Sequence, residues 1–427
     1  MLILAGSIGA LLGVIALVRH VGRNLAWLPE VQRKCVHIAI GLYALVLPWL
    51  FDSAWPIVLL ILIALALMLY LRTPASRTTG LGSTIHAVER RSFGDVWLAL
   101  AIGFVFLRSG DTYILYGLPV AVIALSDAAA ALTGTTYGRS RFQLEAGVKS
   151  WEGVVAFFAV TWIVAMVMLL LLTDVPRLNV VVLGVAIAAF GAVVEAVSWR
   201  GLDNLFVPVC IHFFLAGYLY ATPEALGLLA LIFFPAVLAA AMLQRRLGLS
   251  AHASRAFLIA IFFFLGVSGL FGTILPLLVM GAHLIARRRN PCRGEHPDLD
   301  LIATLCGTGL IWYFVGESTE RSGINLYNLA MTGILLAYVM IALGCDRRWA
   351  LPAYVASLAL YAGLIAVGPA YGRWVLWANW IAALSLALVL VTLLARSGWT
   401  ERWRGPRIAA VASIVPMTAY LTQAVFR

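Results

Sequence analysis

Residues 149–173 read KSWEGVVAFFAVTWIVAMVMLLLLT. A lysine, a serine and a glutamate head a run of about twenty residues without further charge, the length an α-helix needs to cross a hydrocarbon core of ~30 Å. The run calls for lipid as its solvent. Its polar head calls for a reason to stand at the edge of that lipid.

The same apolar run recurs along the whole chain. Of 427 residues, 63% are hydrophobic and 11% charged, and the mean hydropathy is +0.98; a soluble globular chain is about 25% charged. This composition excludes a water-soluble enzyme, a disordered chain and a secreted disulfide scaffold. Apolar spans predict about sixteen transmembrane helices, near 2–18, 36–51, 55–71, 96–107, 113–133, 152–173, 179–198, 205–220, 224–243, 256–270, 272–286, 301–316, 324–344, 350–368, 374–395 and 408–425. The expected fold is therefore all-α, a polytopic integral membrane protein. Residues 2–18 lack a basic leading segment and read as a retained first helix rather than a cleaved signal. Cys35, Cys210, Cys292, Cys306 and Cys345 are odd in number and form no CxxC pair, so neither a disulfide frame nor a zinc signature is present.

Charge supplies the orientation. Apart from Arg108, Arg177, Arg321, Arg373 and Arg427, all of the 30 Lys and Arg fall in alternate loops: 19–35, 72–95, 135–151, 199–204, 244–255, 287–300, 345–349 and 396–407. The positive-inside rule makes these the cytoplasmic loops and turns both termini away from the cytoplasm. The net charge of +11 is thus a membrane signature; a nucleic-acid surface would gather its bases with aromatics on one soluble face. Up to residue 222 the cytoplasmic loops mix acids, bases, His and Gly. Beyond it loops such as Ala286-Arg287-Arg288-Arg289-Asn290-Pro291 are simply basic, and the acids are few and mostly in loops. The expected domains are two helical bundles, 1–222 and 223–427.

Carboxylates within or at the ends of membrane helices cost about 2.5–3.5 kcal/mol on insertion scales and need a partner or a purpose. Asp127, Glu152 and Glu195, with Asp203 in the following loop, belong to one region. Helical spacing puts Asp127, Ala131, Gly134 and Gly138 on one nearly bare face. It is either a small-residue packing seam or a place where a phosphate chain approaches beside a cation held by Asp127. The following loop carries Gly138-Arg139-Ser140-Arg141 and Gly147-Val148-Lys149-Ser150-Trp151-Glu152-Gly153, basic, glycine-punctuated and ending at a helix start whose free N–H groups favour anions. Arg139, Arg141 and Lys149 there suit a polyphosphate, and the carboxylates suit a Mg²⁺ bridging its oxygens. No GxxxxGK[ST] is present, so this is not a P-loop. The chain has two lysines, Lys34 and Lys149, against 28 arginines, and both stand in motif-like places where a compact ammonium is useful. Lys34 sits in Arg33-Lys34-Cys35-Val36-His37, with His37 one turn inside the helix as either a packing residue or a base. Glu89-Arg90-Arg91-Ser92-Phe93-Gly94-Asp95 and Trp199-Arg200-Gly201-Leu202-Asp203-Asn204 complete the set. The charge bias puts all these clusters on one membrane face.

Taken in order, Arg33-Lys34-x-x-His37, Glu89-Arg90-Arg91-Ser92-x-Gly94-Asp95, Ser126-Asp127-x-x-Ala130 through Gly138, Lys149-Ser150-x-Glu152-Gly153 and Gly201-Leu202-Asp203-Asn204-Leu205-x-Val207-Pro208 resemble the phytol kinase/dolichol kinase family. The resemblance spans roughly residues 20–220, and its Asp…Gly…Lys-Ser-x-Glu-Gly portion is shared with CDP-diacylglycerol synthases. It implies a membrane kinase that phosphorylates an isoprenoid alcohol of phytol, polyprenol or dolichol type, with CTP as donor; one branch of the family acts on diacylglycerol. Val148 stands where a second basic residue is frequent, which bears on nucleotide choice. Phe206 stands where Thr is common and Asp95 where Glu is common. Residues 223–427 resemble nothing named.

The expected mechanism is phosphoryl transfer with Asp127 and Asp203 as metal ligands and Glu152 as a third. Lys149, Arg139 and Arg141 contact phosphate, with Arg33, Lys34, Ser150 and Gly153 beside them, while Gly134, Gly138 and Asn204 shape the nucleotide pocket. Asp203, Glu195 or His37 is the base. Mg²⁺ or another divalent cation is the expected cofactor, membrane lipid and the isoprenoid alcohol are the expected partners, and the site faces the cytoplasm from a bacterial cytoplasmic membrane. Cytidylyl transfer to phosphatidate and diacylglycerol phosphorylation are the enzymatic alternatives. Transport of a lipid or isoprenoid phosphate is the alternative of another class, disfavoured because the polar groups gather at one face rather than at a midplane.

Overall fold

The computed structural model describes residues 2–51, 53–71, 93–145, 147–318, 323–367 and 375–425. Among them are fifteen α-helices, ten of them long and apolar enough to cross a membrane by length and composition. The protein is all-α and polytopic. The chain divides into two compact units, residues 1–234 and 235–427, so the division falls inside a helix, Pro223–Leu247, rather than in the loop before it.

The first unit contains α1 (Leu2–Asn24), α2 (Pro29–Leu50), α3 (Ala54–Leu71), α4 (Gly94–Ser109), α5 (Tyr113–Tyr137), α6 (Trp151–Leu172), α7 (Arg177–Val197) and α8 (Asp203–Tyr218). The expected helix 96–107 is longer at both ends as α4, and α5 continues a turn beyond 133. α5 is the centre of the unit: from Ile114 to Ala130 nearly every side chain is buried. α2 packs on it by one face, Lys34, His37, Gly41, Ala44 and Leu47, spaced three and four apart. At Gly41 the two helices touch so closely that a Cβ there would lie 2.3 Å from the Cβ of Ala124. Tyr116 and Tyr113 secure the far end by donating to the carbonyls of Ala44 and Leu45 at 2.6 and 3.1 Å.

The loop 135–151 holds a feature the apolar pattern does not predict. β1 (Arg141–Leu144) and β2 (Gly147–Ser150) form an antiparallel hairpin with Phe142 opposite Lys149. It runs directly into α6, where the Ser150 hydroxyl accepts from the Gly153 amide at 3.1 Å as a helix cap.

α9 (Pro223–Leu247) carries the chain across the division. The second unit continues with α10 (Ala251–Arg289), α11 (Pro297–Ser318), α12 (Ile324–Ala342), α13 (Ala350–Val367), α14 (Val375–Ala395) and α15 (Arg404–Val425). α12 is its buried centre. The expected helices 256–270 and 272–286 form one 39-residue element, α10, interrupted at Gly269, which adopts φ 66° and ψ −172°. At 1.5 Å per residue an unbroken helix of that length would run about 58 Å, twice the hydrocarbon thickness. Arginines bind main-chain carbonyls at helix ends and turns here: Arg287 to Leu247 and Gly248, Arg289 to Ala342, and Arg407 to Trp399. A planar guanidinium satisfies otherwise orphaned carbonyls better than an ammonium does, which accounts for part of the arginine bias.

Candidate active site

The buried face of α2 turns polar near its N-terminal end, and so does α5 where the two meet. Lys34 Nζ lies 2.5 Å from Asp127 Oδ2, with side chains only 3% and 6% exposed. Each charge would be costly alone in this setting; together they form a buried, hydrogen-bonded pair. His37, one turn on, lies 2.9 Å from the Ile123 carbonyl through Nε2 and 3.4 Å from Asp127 Oδ2. The carbonyl can only accept, so Nε2 carries a proton.

A second pair lies across the hairpin. Lys149 on β2 donates from Nζ to Glu195 Oε1 at 2.6 Å and also to the main-chain carbonyl of Glu195, in the last turn of α7. Burial pulls the Lys149 ammonium down, and the carboxylates of Glu195, Asp203 and Asp127 more than offset it, so its pKa stands above the ordinary lysine value. Glu195 Oε2 is buried and has no hydrogen-bond partner among the described residues.

The third contribution comes from the turn between α7 and α8. Arg200 and Gly201 both adopt positive φ, 52° and 83°, a conformation costly for a residue with a Cβ. This turn starts α8 at Asp203, which is half-buried, and Asn204, whose Nδ2 donates to the Gly94 carbonyl at 2.7 Å. Asn204 thereby ties α8 to the first turn of α4, and its Oδ1 is buried without a partner among the described residues.

All three contributions line one cavity of about 1400 Å³. Its polar end includes Arg33, Lys34, His37, Asp127, Lys149, Glu195, Asp203 and Asn204. From there it extends into an apolar arm between α1, α2, α3 and α4, lined by residues such as Leu11, Ile15, Tyr43, Leu47, Leu60 and Leu98. Lys34 to Leu47 is thirteen residues of α2, so the arm runs on the order of 20 Å along the helix.

The remaining expected residues fall in different places. Gly134, Ser150, Gly153 and Arg141 are at the cavity wall, and Arg33 lines it while pairing with Glu30 at 2.6 Å. Gly138, Arg139 and Glu152 are not part of the lining. Glu152 Oε1 instead accepts from the Arg139 and Ser140 amides at 3.1 and 2.9 Å, fastening the entry of the hairpin to α6. The bare face of α5 is shared: Asp127, Ala131 and Gly134 line the cavity, while its Gly138 end packs on α6, where a Cβ on Gly138 would meet Ser150 at 2.9 Å and one on Gly153 would meet the Ala130 carbonyl at 2.9 Å. The close approach those glycines permit is taken by the start of α6. Asp95 and Arg200 also line the cavity, and Glu89, Arg90, Arg91 and Ser92 lie outside the described residues. The apolar arm has no counterpart in the sequence reading, because its residues are ordinary membrane-helix residues.

No family model and no solved structure matches the chain. A phytol kinase from Synechocystis sp. is 34% identical to it over 217 residues, 48% of this chain and 88% of that protein. An ordered match of this length, over nearly the whole of the relative, places the chain in the phytol kinase family, with the rest of its length unmatched.

Proposed function

We propose that the protein is a membrane kinase that transfers the terminal phosphate of a nucleoside triphosphate, CTP, to the hydroxyl of an isoprenoid alcohol. The observation that carries this reading is the shape of the cavity: a polar end holding both lysines of the chain, continuous with an apolar arm about 20 Å long. A soluble nucleotide suits the first part and a hydrocarbon chain the second. The relative's activity toward phytol agrees with it.

Phosphoryl transfer is chiefly a matter of positioning and of countering negative charge. Lys149, held charged at neutral pH, and Lys34 present ammonium groups to the polyphosphate, and Arg33 and Arg141 add charge at the rim. Asn204 holds α4 to α8 and so keeps the polar end closed on that side. The apolar arm draws the acceptor chain out of the bilayer plane and leaves its hydroxyl at the polar end. Among the described residues no group of three or more His, Cys, Asp or Glu is gathered to hold a metal unaided. Asp127 and Asp203 nonetheless both line the polar end, and two carboxylates fit Mg²⁺, which takes its other oxygens from substrate phosphates and water. Bound there, Mg²⁺ would neutralise charge on the phosphate oxygens. The positive-inside pattern puts this end at the cytoplasmic face, where nucleotides are.

The test is to supply purified protein with labelled CTP, ATP or UTP and a panel of phytol, polyprenols, dolichol and diacylglycerol. Labelled isoprenyl phosphate with CDP is the expected product pair. Pyrophosphate release with a cytidylylated lipid would replace this reading by cytidylyl transfer.

A further inference from the structure

The three side chains expected from the sequence to take the proton of the acceptor hydroxyl, His37, Asp203 and Glu195, all line the cavity. His37 already spends Nε2–H on the Ile123 carbonyl and stands against the Lys34–Asp127 pair. Asp203 is half-buried at the start of α8, where Oδ1 accepts from the Asn204 amide at 3.2 Å. Glu195 differs from both. One of its oxygens is held by Lys149, while the other, Oε2, is buried with no donor among the described residues, on a side chain that lines the cavity. A buried acceptor left unmatched is costly and calls for an explanation, and an incoming O–H supplies one.

The partner on the other oxygen matters equally. Among the described residues both hydrogen bonds of Lys149 go to Glu195, one to the carboxylate and one to the carbonyl. A polyphosphate carries more charge than one carboxylate and offers several charge-assisted acceptors, so it competes for the same ammonium. A buried carboxylate that loses its cationic partner holds a proton more readily.

We infer that Glu195 is the general base of the reaction and that Lys149 restrains it until nucleotide arrives. This rests on the kinase reading of the site. As nucleotide binds, Lys149 exchanges Glu195 for phosphate. Glu195 then accepts the proton of the acceptor hydroxyl, the hydroxyl oxygen forms its bond to the terminal phosphorus, and the bond from that phosphorus to the nucleoside diphosphate breaks with its electron pair leaving on the diphosphate. The carboxyl afterwards returns its proton to water, and Lys149 returns to the carboxylate. The device keeps the base occupied in the empty site and couples its release to the substrate it serves.

The two roles predict opposite changes in one variant. Glu195→Gln removes the base and weakens the competitor for Lys149, so kcat should fall by about 10²–10⁴-fold while CTP, measured by equilibrium binding in nanodiscs without lipid acceptor, binds several-fold tighter. A merely structural Glu195 would give weaker CTP binding, and that result overturns the exchange. A kcat within about threefold of wild type overturns the base. Lys149→Gln should loosen CTP, and adding Glu195→Gln to it should change affinity no further; additive effects also overturn the exchange. Should Glu195→Gln not yield monodisperse protein, Glu195→Asp retracts the carboxylate with its charge intact. It should lower kcat with CTP affinity unchanged, and a wild-type kcat overturns the proposal. Wild-type protein that phosphorylates no lipid alcohol refutes the kinase reading and, with it, the base; the CTP-binding comparisons still decide the exchange.

Discussion

Lys34 and Asp127 face each other at 2.5 Å from two different helices, each almost wholly buried, and neither can be neutralised without stranding the other. Asp127→Asn leaves an unpaired ammonium inside the α2–α5 interface, and Lys34→Met leaves an unpaired carboxylate. Breaking one side of a buried pair costs about 3–5 kcal/mol, whereas replacing both partners by apolar groups is often neutral. The single variants are therefore expected to lower the thermal transition of the detergent-solubilised protein, and Lys34→Met with Asp127→Leu to recover most of it. All three should lack lipid kinase activity. Full activity in the double variant would remove the pair from the site.

Lys149 makes a separate prediction about pH. Its folded pKa lies above the ordinary value of 10.5, so its ion pair contributes fully below that value and is lost only as pH rises through the folded pKa. Nucleotide affinity should show no Lys149 titration between pH 6 and 9. Lys149→Met should raise the KM for nucleotide, lower kcat, or both, and Lys149→Arg should retain part of the activity. Unchanged kinetics in Lys149→Met would reduce the residue to a topology signal.

The membrane helices are legible in the sequence because lipid imposes a single requirement, about twenty apolar residues at a time. The hairpin is not: Arg141–Leu144 and Gly147–Ser150 are four-residue strands, too short for alternation to stand out. The break in α10 falls at Gly269 rather than beside Gly272, where the expected spans 256–270 and 272–286 divide, for a reason only packing supplies. Gly272 is pressed against Ser268 and its carbonyl accepts from Tyr327 at 2.9 Å, whereas Gly269 has open space around it. The scarcity of lysine was visible from composition, and both lysines line one cavity. The carboxylate of Glu152 could not be told from a cavity residue in the same way, because its partners are main-chain amides that carry no sequence signature.

The contact of Gly41 with Ala124 predicts a swap. Gly41→Ala would force a Cβ to within 2.3 Å of the Ala124 Cβ, and overpacking of this kind costs about 1–3 kcal/mol. Because Lys34 and His37 share that face of α2, activity should fall along with stability. Ala124→Gly added to Gly41→Ala moves the methyl group to the other helix and is expected to restore both. Thermal unfolding of the two single variants and the double variant measures it, and no recovery in the double variant would mean the helices do not meet there.

Orientation can be read from labelling. Ser140 beside the hairpin and Arg200 in the α7–α8 turn are exposed and belong to basic loops, so both should face the cytoplasm. Single cysteines at these positions, in a chain freed of its five native cysteines, should react with impermeant reagent only in inverted vesicles. Asp174 lies in the turn between α6 and α7, and its cysteine variant should react from the opposite side. Labelling of position 140 from outside would separate the site from its nucleotide.

The apolar arm sets a limit on the acceptor. It is walled by α1 and α3 through Leu11, Ile15, Leu60 and Ala64, and by α2 as far as Leu47, a run of about 20 Å from Lys34. Filling it partway should shorten the chain it accepts without touching the polar end. Ala64 is a half-buried small residue on the α3 wall, so Ala64→Phe adds bulk where cavity, rather than packed protein, can receive it. With that variant, kcat/KM for long prenols should fall at least tenfold, about 1.4 kcal/mol of transition-state binding, while a short prenol is retained and CTP affinity is unchanged. Equal losses for short and long acceptors would mean that the chain lies elsewhere, in lipid rather than in this arm.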